Sequence, residues 1–204
     1  KFKVISSGVK EINKPGKLNE EEVRRLRNHP LNTAAFADGV LKFKEDIITA
    51  ILQHHERVNG EGYPGGLKES NIRELAAIIG LADSYEARTH SRPYREKVSA
   101  HTAIMDVVKN GNRLYTNAAI KALVSRVGLY PVGSWVELNT GEICKVVEVN
   151  RDWPLRPVVA IIMDKNKNKL REIRTLDLRK APSLYIEKFV IREDDDLTDT
   201  TLRR

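Results

Sequence analysis

The hydrophobic pattern of this 204-residue chain changes its period at Gly128, and this change constrains the fold more than any other feature. Before Gly128, apolar residues recur three or four positions apart, as over 47–52, which is the spacing along one face of an α-helix. After Gly128, apolar and polar residues alternate in short runs, as over 143–149, which is typical of half-buried strands. The sequence therefore predicts a mainly α-helical bundle followed by a small C-terminal β domain.

Start and stop signals place the predicted helices more closely. Asn19 precedes three glutamates, which is the pattern of an N-cap with acids in the first helical turn and Glu22 at capping-box distance. Pro30 interrupts that helical pattern. Further helices are predicted over 45–56, 70–89, 100–110 and 117–127, and strands are predicted on both sides of a turn at 139–141 and over 158–163.

Three segments follow from these patterns: a helical domain over 1–127, a β domain over 128–192 and a frayed tail over 193–204. The β segment has room for about four or five strands, and the part from Gly133 to Ala181 resembles a small SH3-like barrel. The tail begins with a run of acids and has little apolar anchoring, so we expect it to fray.

Composition excludes several classes of protein and site. No apolar run approaches the about 18–20 residues that a membrane span requires, so no membrane span is expected. The single cysteine, Cys144, cannot form an internal disulfide or a multi-cysteine metal site, which leaves His, Asp and Glu as metal ligands and favours a cytoplasmic location. The formal net charge of +7 suits a phosphorylated or polyanionic partner.

The histidines are concentrated around one segment. Three of the five, His29, His54 and His55, lie in or before the Gly- and Pro-rich run 54–67. Neutral imidazole is the commonest nitrogen ligand of transition metals, and burying two imidazoles without a partner costs several kcal/mol. Metal coordination offsets that cost, so we predict a metal site. Because adjacent helical residues point about 100° apart, His54 and His55 are expected to serve two neighbouring ions.

Further groups complete the predicted site. Asp83 lies on an apolar helix and is expected to bind the metal or to form a structural salt bridge. Arg92 and Arg95 flank a rigid turn that either clamps phosphate or is a solvated basic turn. The glycines around Tyr63 let the loop wrap a flat nucleotide, with Tyr63 stacking or hydrogen-bonding; a plain helix connector is the alternative. Glu56 is expected to orient a ligand histidine.

The run His54–Leu67 resembles the HHExxxGxGYPxGL signature of the HD-GYP domains, which are bacterial metal-dependent phosphodiesterases that hydrolyse cyclic di-GMP. The resemblance extends over 14–18, 28–30 and 92–95 and includes Asp83. It implies a helical fold of the HD superfamily and three sets of site residues. These are the metal ligands His29, His54, His55 and Asp83, the catalytic residues His54, His55 and Asp83, and the substrate-binding residues Gly62, Tyr63, Pro64, Arg92 and Arg95.

The resemblance also implies the chemistry. Two or three divalent ions, iron or manganese, would activate a water that opens cyclic di-GMP, with either linear pGpG or GMP as the end product. Such ions lower the pKa of a bound water from about 15.7 towards 7, so no protein nucleophile is required. Consistently, the sequence contains neither a G-x-S-x-G elbow nor a Walker loop. The implied partners are cyclic di-GMP and regulatory or GGDEF-type domains, and the implied process is signal transduction.

One part of the family pattern is missing. The His-Asp doublet that names the superfamily, expected shortly before the segment 14–17, does not occur in this sequence. Either the sequence begins after the doublet, which we favour because the other ligands are present, or the site is degenerate and binds a cyclic dinucleotide without turnover. Nucleic-acid binding by the β domain is a third hypothesis. The mixture of acidic and basic residues throughout argues against a dedicated nucleic-acid groove.

Overall fold

The computed structural model describes residues 16–90 and 98–191. Contacts divide the chain into two compact units, with the boundary between Val124 and Ser125. No described helix combines the length and the apolar character that crossing a bilayer needs. Arg92 and Arg95, the first two residues of the matched segment 14–18, and the predicted tail over 193–204 lie outside the described residues.

The first unit is helical. Within the described ranges the chain forms six α-helices and two short 3-10 turns, at Glu69–Asn71 and Gly111–Arg113. The helices are α1 (Glu20–Arg27), α2 (His29–Gly39), α3 (Glu45–Gln53), α4 (Glu74–Thr89), α5 (Ala100–Asn110) and α6 (Asn117–Val127). The predicted bounds of α5 and α6 are confirmed.

Local signals explain where the first two helices begin. Asn19 Oδ1 accepts a hydrogen bond from the Glu22 N–H at 2.9 Å, and the Glu22 carboxylate accepts one from the Asn19 N–H at 2.8 Å. This reciprocal pair is the predicted capping box of α1. Pro30 lies in the first turn of α2, where its missing N–H leaves no helical bond unmade, so it starts a second helix as well as ending the first.

Two predicted helix ends are wrong. The predicted helix over 45–56 ends at Gln53, because the Arg57 guanidinium binds the carbonyl oxygens of His54, at 3.1 Å, and of Glu56, at 2.7 Å, outside the helical pattern. The predicted helix over 70–89 begins at Glu74, because the chain first makes the 3-10 turn at 69–71. Side-chain bonds from Arg57 in the first place, and a 3-10 turn in the second, replace the predicted helical turn.

The core of the first unit gathers around α4. Ala76, Ala77 and Leu81 of α4 are buried together with Val107 of α5 and Ala119 of α6. Alanine leaves room for a neighbouring helix to approach closely, and α3 also packs against α4. The core therefore holds the end of α3, where two predicted ligands lie, against a rigid helix.

The second unit contains an antiparallel sheet of five strands in the order β4-β3-β2-β1-β5. The strands are β1 (Trp135–Leu138), β2 (Ile143–Glu148), β3 (Val158–Met163), β4 (Lys169–Asp177) and β5 (Ile186–Val190). The first four form a meander, and β5 returns to pair with β1. The predicted turn at 139–141 and the predicted strand over 158–163 are confirmed.

The expected SH3-like barrel is wrong, because the sheet is open. β4 and β5 are its edge strands, and they do not pair with each other within the described residues. The strands bury a cluster that includes Val136, Leu138 and Val159, and Tyr130 and Leu184 from outside the strands pack against it. Since these flanking segments already cover the apolar cluster, closure of the sheet is not needed to exclude water from it.

Candidate metal centre

Three imidazoles from two segments of the chain converge at one point of the helical unit. His29 is the first residue of α2, His54 is the C-cap of α3, and His55 follows it. The Nε2 atoms of His29 and His55 are 3.2 Å apart, and those of His29 and His54 are 3.4 Å apart. The structure therefore brings together the three histidines that the sequence predicts as metal ligands.

Backbone carbonyl groups orient two of the rings. Nδ1 of His29 lies 2.8 Å from the Leu26 carbonyl oxygen, and Nδ1 of His54 lies 2.6 Å from the Ile51 carbonyl oxygen. Because a carbonyl oxygen only accepts hydrogen bonds, Nδ1 carries the proton in both rings. In the neutral form of each ring, the lone pair is then on Nε2, the atom that faces the centre of the cluster.

Burial favours the neutral form of His54 and His55. It lowers the pKa of His55 to about 3, and the neighbouring charges of His54, His29 and Arg57 act in the same direction. Burial is also the main cause that lowers the pKa of His54, against the opposing effect of its hydrogen bond to the Ile51 carbonyl. Near pH 7 both rings are therefore in the form in which imidazole binds a metal ion.

The donor set fits a divalent transition-metal ion. With Nδ1 protonated in both rings, the Nε2 atoms of His29 and His54 face each other as two acceptors at 3.4 Å, with no proton to share. A cation between them would remove this mismatch of two half-buried lone pairs. Two nitrogens that bind one tetrahedral ion, each at about 2.1 Å, lie about 3.4 Å apart, which matches the observed spacing.

The predicted divergence of His54 and His55 is not observed. That prediction placed both residues on a helix, whereas α3 ends at Gln53. Their ring centroids are 4.1 Å apart, and both rings lie beside His29, at 5.4 Å and 4.9 Å between centroids. The two imidazoles can therefore face one ion, and the number of ions that bind here stays a prediction.

Asp83 lies near the histidines but outside their cluster. It is exposed on α4, and its charge acts on His54 and Tyr63. It is not among the donor atoms that lie within 4.8 Å of one another, and it makes no hydrogen bond or ion pair with the described residues. The alternative of a structural salt bridge thus finds no partner in the described part of the chain, and the ligand and catalytic roles of Asp83 stay predictions.

The loop around Gly62, Tyr63 and Pro64, here called the Gly-Tyr-Pro loop, lies directly against the histidines. Tyr63 stacks on His55 with ring centroids 4.6 Å apart, and its N–H donates to the His55 carbonyl oxygen at 3.2 Å. The peptide bond between Tyr63 and Pro64 is cis. Burial raises the pKa of Tyr63 to about 12, so its phenol stays protonated and can donate a hydrogen bond. Tyr63 is therefore placed to contact a ligand of the histidine cluster.

Gly62 is required by close packing of the backbone. A Cβ at this position would lie 2.4 Å from the backbone nitrogen of Arg57 and 2.6 Å from the carbonyl oxygen of His55. Only glycine lets the loop cross the chain here, which gives Gly62 a structural role. Its predicted contact with substrate, and that of Pro64, remain predictions.

Glu56 binds the loop instead of a histidine. Its side chain is 4% exposed, and its carboxylate accepts hydrogen bonds from the N–H groups of Gly65, at 2.6 Å, and Leu67, at 2.8 Å. An antiparallel bridge between Asn59 and Lys68 closes the same loop. Glu56 therefore ties the end of the loop back to the segment that carries His54 and His55, and the predicted contact to an imidazole is wrong.

Sequence reasoning misses Arg57. Besides its bonds to the carbonyl oxygens at the end of α3, its guanidinium donates to Ser84 Oγ of α4 at 3.2 Å and lies 5.0 Å from the ring centroid of Tyr115. It links the ligand-bearing end of α3 to the core helix α4. Its place inside the signature is the only signal in the sequence, because Ser84 and Tyr115 are distant along the chain.

Comparison with known proteins identifies the family. A family model described as HD domain matches residues 6–119, which is more than half of the chain. The chain belongs to the HD domain family. A second model, described as a KOW domain associated with HD domain, matches residues 135–196 and so covers the sheet. The HD domain match contains all three clustered histidines, and the predicted resemblance to the HD-GYP domains is confirmed.

Curated relatives of this HD domain protein are named for cyclic-dinucleotide hydrolysis. Cyclic di-GMP phosphodiesterase PA4108 of Pseudomonas aeruginosa is 33% identical over 171 residues, which cover 83% of this chain and 41% of the relative. Cyclic di-GMP phosphodiesterase PdeB of Borreliella burgdorferi is 27% identical over 166 residues, which cover 81% of this chain and 43% of the relative. The 3'3'-cGAMP-specific phosphodiesterase 1 of Vibrio cholerae is 34% identical over 100 residues, which cover 48% of this chain and 22% of the relative. The chain thus spans less than half the length of each relative.

Proposed function

We propose that this protein is a metal-dependent phosphodiesterase that hydrolyses cyclic di-GMP either to linear pGpG or onward to GMP. The observation that carries the proposal is the convergence of three half-buried imidazoles beside Tyr63, two of them with Nδ1 bonded to a backbone carbonyl and Nε2 facing the cluster. The names of the relatives support cyclic di-GMP as the substrate. A cytoplasmic location and regulatory or GGDEF-type partner domains stay predictions.

The residues of the chain have distinct roles in this reaction. His29, His54 and His55 would hold a divalent ion, iron or manganese, and Asp83 is the predicted further ligand that compensates its charge. When bound, such an ion supplies a water that ionises near neutral pH and neutralises charge on the phosphoryl oxygens. Tyr63 keeps its phenolic proton and donates it in a hydrogen bond to a phosphate oxygen, or stacks its ring on a base.

A binding module without turnover is the second candidate function. The metal-ligand cluster in the described residues contains three imidazoles and no carboxylate, and the His-Asp doublet does not occur in the sequence. In that case the Gly-Tyr-Pro loop, together with Arg92 and Arg95, holds the cyclic dinucleotide, and the domain signals its presence.

The proposal is tested with the chain loaded with manganese or ferrous iron and incubated with cyclic di-GMP or 3'3'-cGAMP. We expect release of linear dinucleotide from cyclic di-GMP and an ion count of at least one per chain by elemental analysis. His54→Ala combined with His55→Ala should lose the bound metal and more than roughly 100-fold of the turnover. The matched control is His90→Ala, because His90 is an exposed histidine on the same unit that pairs with Glu86.

Circular dichroism of all variants establishes that they are folded. Equal turnover by the wild type and the double variant would contradict the proposal. Tight binding of cyclic di-GMP without any product selects the binding module, and faster hydrolysis of 3'3'-cGAMP reassigns the preferred substrate.

A further inference from the structure

A depression of about 540 Å³ lies between α1 and the Gly-Tyr-Pro loop. Apolar side chains of Leu18 and Val23 line part of it, Tyr63 and Pro64 line another part, and Arg24 is one of two arginines in the lining. The shared residue Tyr63 joins this depression to the histidine cluster, because its ring also stacks on an imidazole of that cluster. A ligand at the histidines can therefore extend into the depression.

The charge of the depression comes from α1. Arg24 and Arg27 are three residues apart, so they lie on the same helix face, and both are exposed. Neither donates a hydrogen bond or forms an ion pair with the described residues, whereas Arg25 on another face binds Glu21 at 2.9 Å. Glu20 also lines the depression, and two arginines against one glutamate leave an excess of positive charge there.

Arg27 is held in place by the loop. Its guanidinium carbon lies 5.5 Å from the centroid of the Tyr63 ring, in a cation–π contact. A guanidinium can stack its flat face on an aromatic ring while the N–H donors along its edge stay available for hydrogen bonds. That edge matches the two oxygens of a phosphate group. Arg27 is therefore oriented next to the candidate metal centre and still has its donors available.

We propose that Arg24 and Arg27 form an anion subsite, which binds the second phosphate of a cyclic dinucleotide while the first lies at the histidine cluster. This inference rests on the proposed phosphodiester chemistry and deepens it. A cyclic dinucleotide carries two phosphates in one ring, whereas a simple phosphodiester carries one. The subsite thus gives the protein a preference for two-phosphate substrates, and Arg24 and Arg27 act as positioning residues for substrate.

Two probes separate the subsite from the metal centre: cyclic di-GMP, with two phosphates, and bis(p-nitrophenyl) phosphate, with one. For Arg24→Ala with Arg27→Ala we expect KM for cyclic di-GMP to rise about tenfold or more, with a smaller change in kcat, because charge-assisted hydrogen bonds to the bound ligand are lost. The loss on cyclic di-GMP should exceed the loss on the one-phosphate probe. The single variants Arg24→Ala and Arg27→Ala are compared with Arg25→Ala as the matched control, since each removes one positive charge from the same helix and only Arg25 lies away from the depression.

Calorimetric binding of cyclic di-GMP to metal-free protein gives a readout that needs no turnover. We expect the double arginine variant to bind about tenfold more weakly than the wild type and the Arg25→Ala variant to bind like the wild type. Equal affinity of the wild type and the double variant, equal weakening by Arg25→Ala, or no binding by the wild type overturns the subsite. A wild type that binds through these arginines and does not hydrolyse overturns only the proposed activity.

Discussion

Glu56 is the residue on which the shape of the candidate site depends most. It is buried, it follows His55 directly, and both of its oxygens accept backbone N–H groups of the Gly-Tyr-Pro loop. A buried charge of this kind is stable only with its hydrogen bonds complete. The loop that these two bonds tie down also carries Tyr63, which contacts both His55 and Arg27.

Glu56→Gln should destabilise the helical unit by about 1–3 kcal/mol, because the amide keeps one acceptor oxygen and turns an NH₂ group towards the other N–H donor. Chemical denaturation followed by far-ultraviolet circular dichroism measures the change. Glu61→Gln is the matched control, since Glu61 is exposed in the same loop and its carboxylate accepts an exposed hydrogen bond from Asn59 Nδ2, which the Gln amide oxygen can also accept; it should change stability by no more than about 0.5 kcal/mol. Equal stability of the two variants would show that the Glu56 contacts do not hold the loop.

At the scale of elements, the contact between α3 and α4 depends on the absence of one side chain. A Cβ on Gly80 of α4 would lie 2.1 Å from the carbonyl oxygen of His54. The clashing atom belongs to the backbone, so no rotation of a side chain can relieve it. Gly80 therefore sets how closely α4 approaches the end of α3 that carries the two adjacent histidines.

Gly80→Ala tests this contact. Alanine gains about 1 kcal/mol over glycine in helix propensity, but forced overpacking against backbone costs about 1–3 kcal/mol or more, so we expect a net loss of stability and of bound metal. Gly39→Ala, at the end of α2, is the control, because nothing lies within 4 Å of its added Cβ. Denaturation midpoints and metal content measure both effects. A Gly80→Ala protein as stable and as metal-loaded as the Gly39→Ala protein contradicts the packing described here.

At the scale of the whole molecule, the second unit carries its own spectroscopic and chemical reporters. Both tryptophans, Trp135 and Trp153, and the single cysteine, Cys144, lie in it. Cys144 is fully buried in the sheet core, and burial raises the pKa of its thiol to about 12. Its thiolate fraction at pH 8 is then on the order of 10⁻⁴, against a substantial fraction for a free cysteine.

We expect no reaction of folded protein with a thiol reagent at pH 8, because Cys144 is both inaccessible and protonated. In increasing urea, labelling should begin together with the change in tryptophan fluorescence, since both report opening of the same sheet. Labelling of the folded protein at the rate of a small free thiol would disprove the burial of Cys144.

The local features of this protein could be predicted because their causes lie within a few residues. The capping box of Asn19 and Glu22, the bounds of α5 and α6, and the strand over 158–163 depend on neighbours in sequence. The errors depend on side-chain and tertiary contacts that periodicity does not encode: α3 ends where the Arg57 guanidinium binds the next carbonyl oxygens, and residues outside the strands cover the apolar cluster of the open sheet.

The sequence by itself determined the order of helices and strands, the family, and the choice of His29, His54 and His55 as candidate ligands, because periodicity and signature residues are local properties of a chain. Only the tertiary structure decided that these imidazoles meet, that Glu56 binds the loop, and that Arg27 lies over Tyr63. Such contacts join residues far apart in sequence, and their distances follow from how helices pack around a core, which no local pattern encodes.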